Sequence, residues 1–250
     1  MELTVLGSGT VVLQPNRGPA GYLLKVASRT FLLDGGTGSL LNALRAGVSY
    51  FDIDNICYTH LHPDHTSDLV PFLFGTKYTP GVTRRKKLSL FGPVGFQGFF
   101  DKLVDLYGRG MVQIEYSMEI RELGAESLSL GDLTIRTRRM QHAENAIGYR
   151  FEWGDKIFVY SGDTDFCGEI VELARGADLL LIECSFPDDK KVRGHLTPSE
   201  VGEIAATAGA KKVLLTHIYP PFDESAILDA VSRRFGGEIR IAHDLERAVI

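Results

Sequence analysis

The first apolar runs of this chain are short. Leu3 to Leu6, Gly21 to Val26 and Thr30 to Leu33 are bounded by turn residues and predict strands. The third closes on Asp34-Gly35-Gly36, where the glycines allow a turn that other residues resist. Leu40 to Ala46 predicts a helix ended by Gly47. Strands are expected again at Ile53 to Thr59 and at Leu88 to Phe91, the latter followed by Gly92-Pro93 and a helix reaching Leu106. From Val112 to Val159 apolar and polar positions alternate, as in antiparallel strands, with hairpin turns at Gly131-Asp132 and Gly154-Asp155.

Beyond that the pattern becomes a strand and helix rhythm. Strands Ile157 to Tyr160, Leu179 to Ile182, Val213 to Leu215 and Ile239 to Ala242 are separated by helices at Glu169 to Arg175, Pro198 to Ala208 and Glu224 to Phe235. Near-continuous apolar strands such as Leu179 to Ile182 are those of a parallel sheet covered on both faces. Periodicity alone thus gives an α/β or α+β fold, suited to two sheets packed face to face with helices outside. No low-complexity linker divides residues 1–250, which are expected to form one domain.

Composition narrows the classes. With 27 Lys and Arg against 32 Asp and Glu, the net charge of −5 argues against a globally basic, nucleic-acid-coating protein. No apolar run approaches the roughly 20 residues that span a bilayer, and the chain opens on strand-like Glu2 to Leu6 instead of a signal sequence, so a cytoplasmic, membrane-free protein is expected. Cys57, Cys167 and Cys184 form no Cys-x-x-Cys pair and lie in or beside apolar segments, which suits a reducing compartment and burial as small hydrophobes.

The densest chemistry is Tyr58-Thr-His-Leu-His-Pro-Asp-His-Thr-Ser-Asp68. If a strand leads into it, His60 and His62 leave on the same face. Pro63 then stops the ladder, and Asp64 and His65 follow in a turn or first helical turn where they can serve a second centre beside the first. The stretch offers ligands for two metals. A merely polar turn is a much poorer account of so many N and O ligands directly after an apolar strand. The same grammar recurs: His142 follows Leu133 to Met140, Asp163 follows the strand ending at Tyr160, and His217 follows Val213-Leu-Leu-Thr216.

His-x-His-x-Asp-His, followed in order by His, Asp and His, resembles the metallo-β-lactamase superfamily. The resemblance implies a four-layer αββα sandwich. It also implies that His60, His62 and His142 hold one metal, that Asp64, His65 and His217 hold the other, and that Asp163 bridges them. Two such cations share a water whose pKa falls towards 7, giving hydroxide at neutral pH. Zinc is the first expectation, with manganese or iron also compatible with these donors. Asp34 matches the acidic residue that the family places behind the site; a ligand-orienting role and a turn-stabilising role both stand. His243 has no counterpart in the pattern and is read as structural.

His195 bears on the reaction. It lies in Gly-His-Leu-Thr-Pro-Ser-Glu, with Thr197 and Glu200 spaced as a capping box. With the following Ala-Gly-Ala-Lys-Lys-Val-Leu-Leu-Thr-His, with Tyr-Ser-Gly-Asp-Thr and with Pro15 to Gly18, this region resembles ribonuclease Z and its relatives. That resemblance assigns His195 to the scissile phosphate as an acid for the leaving oxygen, in competition with a plain helix-cap role. Asp64 is expected to orient the nucleophile as well as bind metal.

The chain departs from bacterial ribonuclease Z between His142 and Asp163, which leaves room for a hairpin but not for the long arm that grips tRNA. Arg84-Arg85-Lys86-Lys87 is the clearest basic run, Arg136, Arg138 and Arg139 the next; both are read first as solvated loops. The expectation is therefore a dinuclear metal-dependent phosphodiesterase for small phosphodiesters or nucleotides. tRNA end processing, or another ester, thioester or lactone hydrolysis, is the alternative, and a non-catalytic RNA-binding or scaffold protein is a third class that typically lacks these ligands. RNA remains a candidate partner, and a homodimer is left open.

Overall fold

The computed structural model describes residues 1–112 and 114–250. Two seven-stranded sheets face each other. In the first, β1 (Glu2–Gly7), β2 (Gly21–Val26) and β3 (Arg29–Gly35) form an antiparallel meander, continued in parallel by β4 (Asn55–Cys57), β5 (Leu88–Pro93) and β6 (Met118–Leu123). In the second, β7 (Ser127–Leu130), β8 (Leu133–Arg139), β9 (Ile147–Trp153) and β10 (Lys156–Tyr160) are antiparallel, and β11 (Leu179–Glu183), β12 (Lys212–Thr216) and β13 (Glu238–Ile241) extend it in parallel. The last strand, β14 (Arg247–Val249), returns to the first sheet and pairs with β1.

Three apolar clusters define four layers. Between the sheets lie residues such as Tyr22, Phe31, Tyr149, Phe151 and Phe158. Outside the first sheet, α1 (Ser39–Arg45), α3 (Leu69–Tyr78) and α4 (Phe96–Tyr107) cover Leu23, Ile56 and Leu90. Outside the second, α5 (Gly168–Leu173), α6 (Pro198–Ala208) and α7 (Glu224–Ser232) cover Leu180, Ile182 and Leu215. This is the αββα sandwich. Strands with both faces buried need apolar residues at every position, and β11 and the last four residues of β12 supply them with few exceptions.

Several boundaries differ from the sequence expectation. Ile53 to Thr59 yields only Asn55–Cys57 as strand, because the chain leaves the ladder early to form the histidine loop. β6 is not part of an antiparallel set: it extends the first sheet parallel to β5. α3 carries Pro71 and Gly75 and is apolar on most sides, so it has no helical periodicity to read. Both expected hairpin turns fall where glycine takes positive φ, at Gly131 and Gly154.

The basic run is corrected at one residue. Arg84 is buried and donates to the carbonyls of Phe51, Lys86 and Lys87 at 2.9–3.1 Å. Arg85, Lys86 and Lys87 pair with Glu115, Asp54 and Glu119. Arg84 thus fastens the turn before β5, while Arg85, Lys86 and Lys87 are exposed, as a solvated run is expected to be. Cys57, Cys167 and Cys184 are buried free thiols. No helix among the described residues is long and apolar enough to cross a membrane.

Candidate metal centre

Each chemically distinctive residue sits just past a strand's C-terminal end, where backbone amides and carbonyls are released from the ladder. His60 and His62 follow β4; Asp64 and His65 lie in α2 (Pro63–Thr66), whose first position is Pro63. His142 follows β8, Asp163 follows β10, and His217 follows β12. The seven converge. Asp163 Oδ2 lies 3.5 Å from both His65 Nε2 and His217 Nε2, 3.7 Å from His142 Nε2 and 3.8 Å from His60 Nε2. Asp64 Oδ2 lies 3.4 Å from His217 Nε2 and 3.8 Å from His65 Nε2. His62 Nδ1 completes the group, 3.1 Å from both His60 Nε2 and His142 Nε2.

The protein fixes which nitrogen four of the imidazoles present. His65 Nδ1 donates to Asp34 Oδ2 at 2.8 Å, and His142 Nδ1 donates to the Gly194 carbonyl at 2.8 Å. Thr59 Oγ1 gives its proton to Asp34 Oδ2 and so receives one from His60 Nδ1, at 3.0 Å. Ser185 Oγ gives its proton to Glu183 and receives one from His217 Nδ1, at 3.1 Å. With Nδ1 protonated, Nε2 keeps a bare lone pair directed inward. His65 Nε2 is buried without a hydrogen-bond partner among the described residues.

Electrostatics agrees with that reading in part. Burial, reinforced by neighbouring imidazoles, pushes His60 well below the usual histidine pKa and lowers that of His62. Burial also opposes charge on His65, but Asp163 and Asp34 outweigh it and hold its pKa well above normal. Burial opposes charge on Asp163 as well; the cationic potential of His217, His65 and His60 overrides it and keeps the carboxylate ionised. Bare lone pairs crowded at 3.1 Å repel one another, and a cation relieves that repulsion. The donor set fits divalent metal ions.

Asp34 orients this group from behind. It is wholly buried at φ +51°, accepts from Thr59 N–H and Tyr160 Oη, and takes the His65 proton. His217 has a similarly strained φ of +52°. Both strained residues adjoin the centre, as stored strain commonly does.

His195 stands at the rim. Its Nδ1 is 3.1 Å from Glu183 Oε1 and 4.0 Å from Asp163 Oδ2, and its ring contacts those of His142, His217 and Phe186. Burial depresses its basicity, but Glu183 reverses this and raises its pKa. The capping box of Thr197 and Glu200 starts α6 immediately after it. Glu183 was not anticipated. It ends an all-apolar buried strand, the grammar that marks Asp163 and His217, and that signal could have found it. His243 lies away from the cluster, beside Arg17 and Glu224.

The centre opens into a cleft of about 750 Å³ lined by His62, Gln141, His142, Asp165, Arg193 and Gly194. Residues 29–218 match the model of the beta-lactamase superfamily domain. The chain belongs to the metallo-β-lactamase superfamily. Within that superfamily it is 30% identical to an uncharacterized protein of Mycobacterium tuberculosis over 96% of this chain and 88% of that protein. It is 27% identical to ribonuclease Z of Streptomyces avermitilis, over 100% and 97% of the two chains. Among solved structures it resembles the metallo-beta-lactamase fold protein YhfI from Bacillus subtilis, with TM-score 0.86 and 25% identity, covering 99% and 98% of the chains. This superfamily member is thus ribonuclease Z-like over its whole described length.

Proposed function

We propose that the protein is a dinuclear metal-dependent phosphodiesterase that hydrolyses small phosphodiesters or nucleotides. The observation that carries this reading is the inward set of imidazole lone pairs around the single oxygen Asp163 Oδ2. His60, His62 and His142 would hold one ion, Asp64, His65 and His217 the other, and Asp163 both. Zinc is the first candidate. Such a pair supplies Lewis acidity and lowers the pKa of bound water towards about 7.

The chain's own groups do the rest. Asp64 is a buried carboxylate, 3.4 Å from His217 Nε2; burial raises its pKa, but His217 and His65 outweigh this and keep it ionised, so it would orient an attacking water by accepting a hydrogen bond from it. His195 has Nδ1 engaged by Glu183, so Nε2 is the ring atom that carries a proton to the departing oxygen. Glu183 is itself held by Thr164 N–H, Leu196 N–H and Ser185 Oγ, which fixes the imidazole's orientation. Glu183 is therefore a positioning residue and His195 the acid.

Similarity to ribonuclease Z along the whole chain favours tRNA end processing as the second reading. Against it, β9 and β10 are joined by the tight turn at Gly154-Asp155, which leaves no room there for a long arm to hold a large RNA. The deciding experiment measures metal content by elemental analysis and turnover of bis-p-nitrophenyl phosphate, cyclic nucleotides and a tRNA precursor. Asp163→Ala is expected to lose bound metal and all diester hydrolysis while keeping its fold by circular dichroism. Undiminished hydrolysis in that variant refutes the reading.

A further inference from the structure

A second cavity, of about 240 Å³, lies on the outer face of the second sheet beyond the end of α5. Arg136, Arg138, Arg150 and Arg175 line it, against Glu152 and Glu172. In a chain whose net charge is −5, this is a local excess of cations. Arg136 and Arg150 face each other directly across β8 and β9, an unfavourable like-charge pair. Glu152 bridges them, accepting from Arg136 Nε at 3.1 Å and Arg150 Nε at 2.6 Å, and both its oxygens are thereby occupied. Glu172 pairs with Arg175 at 3.5 Å. Arg150 Nη1 also satisfies the carbonyls of Leu173 and Arg175 at the end of α5, which removes their negative potential from the cavity. Arg138 is left over: Nη1 donates to the Thr137 carbonyl at 3.0 Å, and the side chain has no carboxylate partner among the described residues.

The cavity adjoins the metal cleft. Met140 lines the cleft and Leu173 lines this cavity, and both side chains abut Gly148, where a Cβ would lie 3.2 Å from Met140 Cε and 2.9 Å from Leu173 Cδ2. Arg138 is four residues from His142, at most about 14 Å along the chain.

We propose that this arginine cavity is a phosphate-binding site. Guanidinium forks match phosphate oxygens bidentately, and Arg138 and Arg175 have donors to offer. The phosphate comes either from a second phosphate of the substrate whose diester occupies the cleft, or from a separate phosphorylated effector. The first source rests on the phosphodiesterase reading; the site itself does not.

Two measurements on the full chain test it. The first is calorimetric titration with inorganic pyrophosphate, comparing wild type with Arg138→Glu and, as a second variant, Arg175→Ala. Losing a charge-assisted bond is expected to weaken pyrophosphate about tenfold in each. The second is the KM of a p-nitrophenyl-tagged dinucleotide bearing a terminal phosphate, relative to the same compound without it. If Arg138→Glu raises that ratio about tenfold, the substrate is the source. If pyrophosphate binding falls and the ratio stays, the source is a free effector. Equal pyrophosphate affinity in wild type and both variants overturns the site. Failure of wild type to cleave either compound would refute the phosphodiesterase reading and leave the pyrophosphate titration to judge this one.

Discussion

An imidazole whose Nδ1 proton is committed to a fixed acceptor has only Nε2 to present, and four histidines of the centre are committed in this way. Their partners differ: a carboxylate, a threonine hydroxyl, a serine hydroxyl and a backbone carbonyl. The histidines and acids were legible because their spacing follows strand ends. Two of the acceptors were not, since Ser185 and the Gly194 carbonyl reach His217 and His142 across 32 and 52 residues. Glu183 belongs with them. Replacing it by Gln keeps its size and removes the charge facing His195, and kcat is expected to fall about 10- to 100-fold with KM and metal content retained. Elemental analysis beside steady-state kinetics checks this: loss of metal would make Glu183 part of the ligand scaffold instead. Asp34 illustrates the opposite case, a position where sequence left two roles open and where the carboxylate performs the orienting one while also fixing Thr59.

At the scale of elements, the site depends on how strands end. Gly162, between β10 and Asp163, has φ +60°, and a Cβ there would stand 2.7 Å from Thr59 Cβ. Gly162→Ala is therefore expected to push apart the turns carrying Asp163 and His60, and to cost about 1–3 kcal/mol in stability. Metal affinity should fall with it; calorimetric metal titration and urea unfolding read the two effects, and wild-type affinity would refute the linkage. The capping box makes a milder prediction. Thr197→Ala removes half of it and is expected to destabilise α6 by about 1 kcal/mol, seen as a lower urea midpoint at unchanged slope. That helix start was readable because capping is local. α3 and β6 were not: the first has apolar residues on most sides, and the second is specified by its parallel partner β5, thirty residues away.

At the scale of the molecule, the two ends of the chain meet. β14 pairs with β1, and Ala248 and Ile250 pack into the core between the sheets. Removing Arg247–Ile250 exposes the β1 edge and is expected to cost roughly 2–4 kcal/mol, from lost ladder bonds and apolar burial. An unchanged urea midpoint would mean β14 contributes little. The centre itself is assembled from both sheets: His60, His62, Asp64 and His65 come from the first, His142, Asp163, Glu183 and His217 from the second.

The sequence by itself determined the alternation of strands and helices, the turns at Gly131 and Gly154, and the set of histidines and acids at strand ends, because periodicity, glycine conformation and ligand spacing are local properties. Tertiary structure alone decided that these groups share one oxygen of Asp163, that Glu183 stands behind His195, and that Arg84 is a buried fastening while Arg138 lines an open cavity. Those outcomes depend on which distant backbone atoms come within about 3 Å, the range over which hydrogen bonds act, and no run of neighbouring residues encodes that distance.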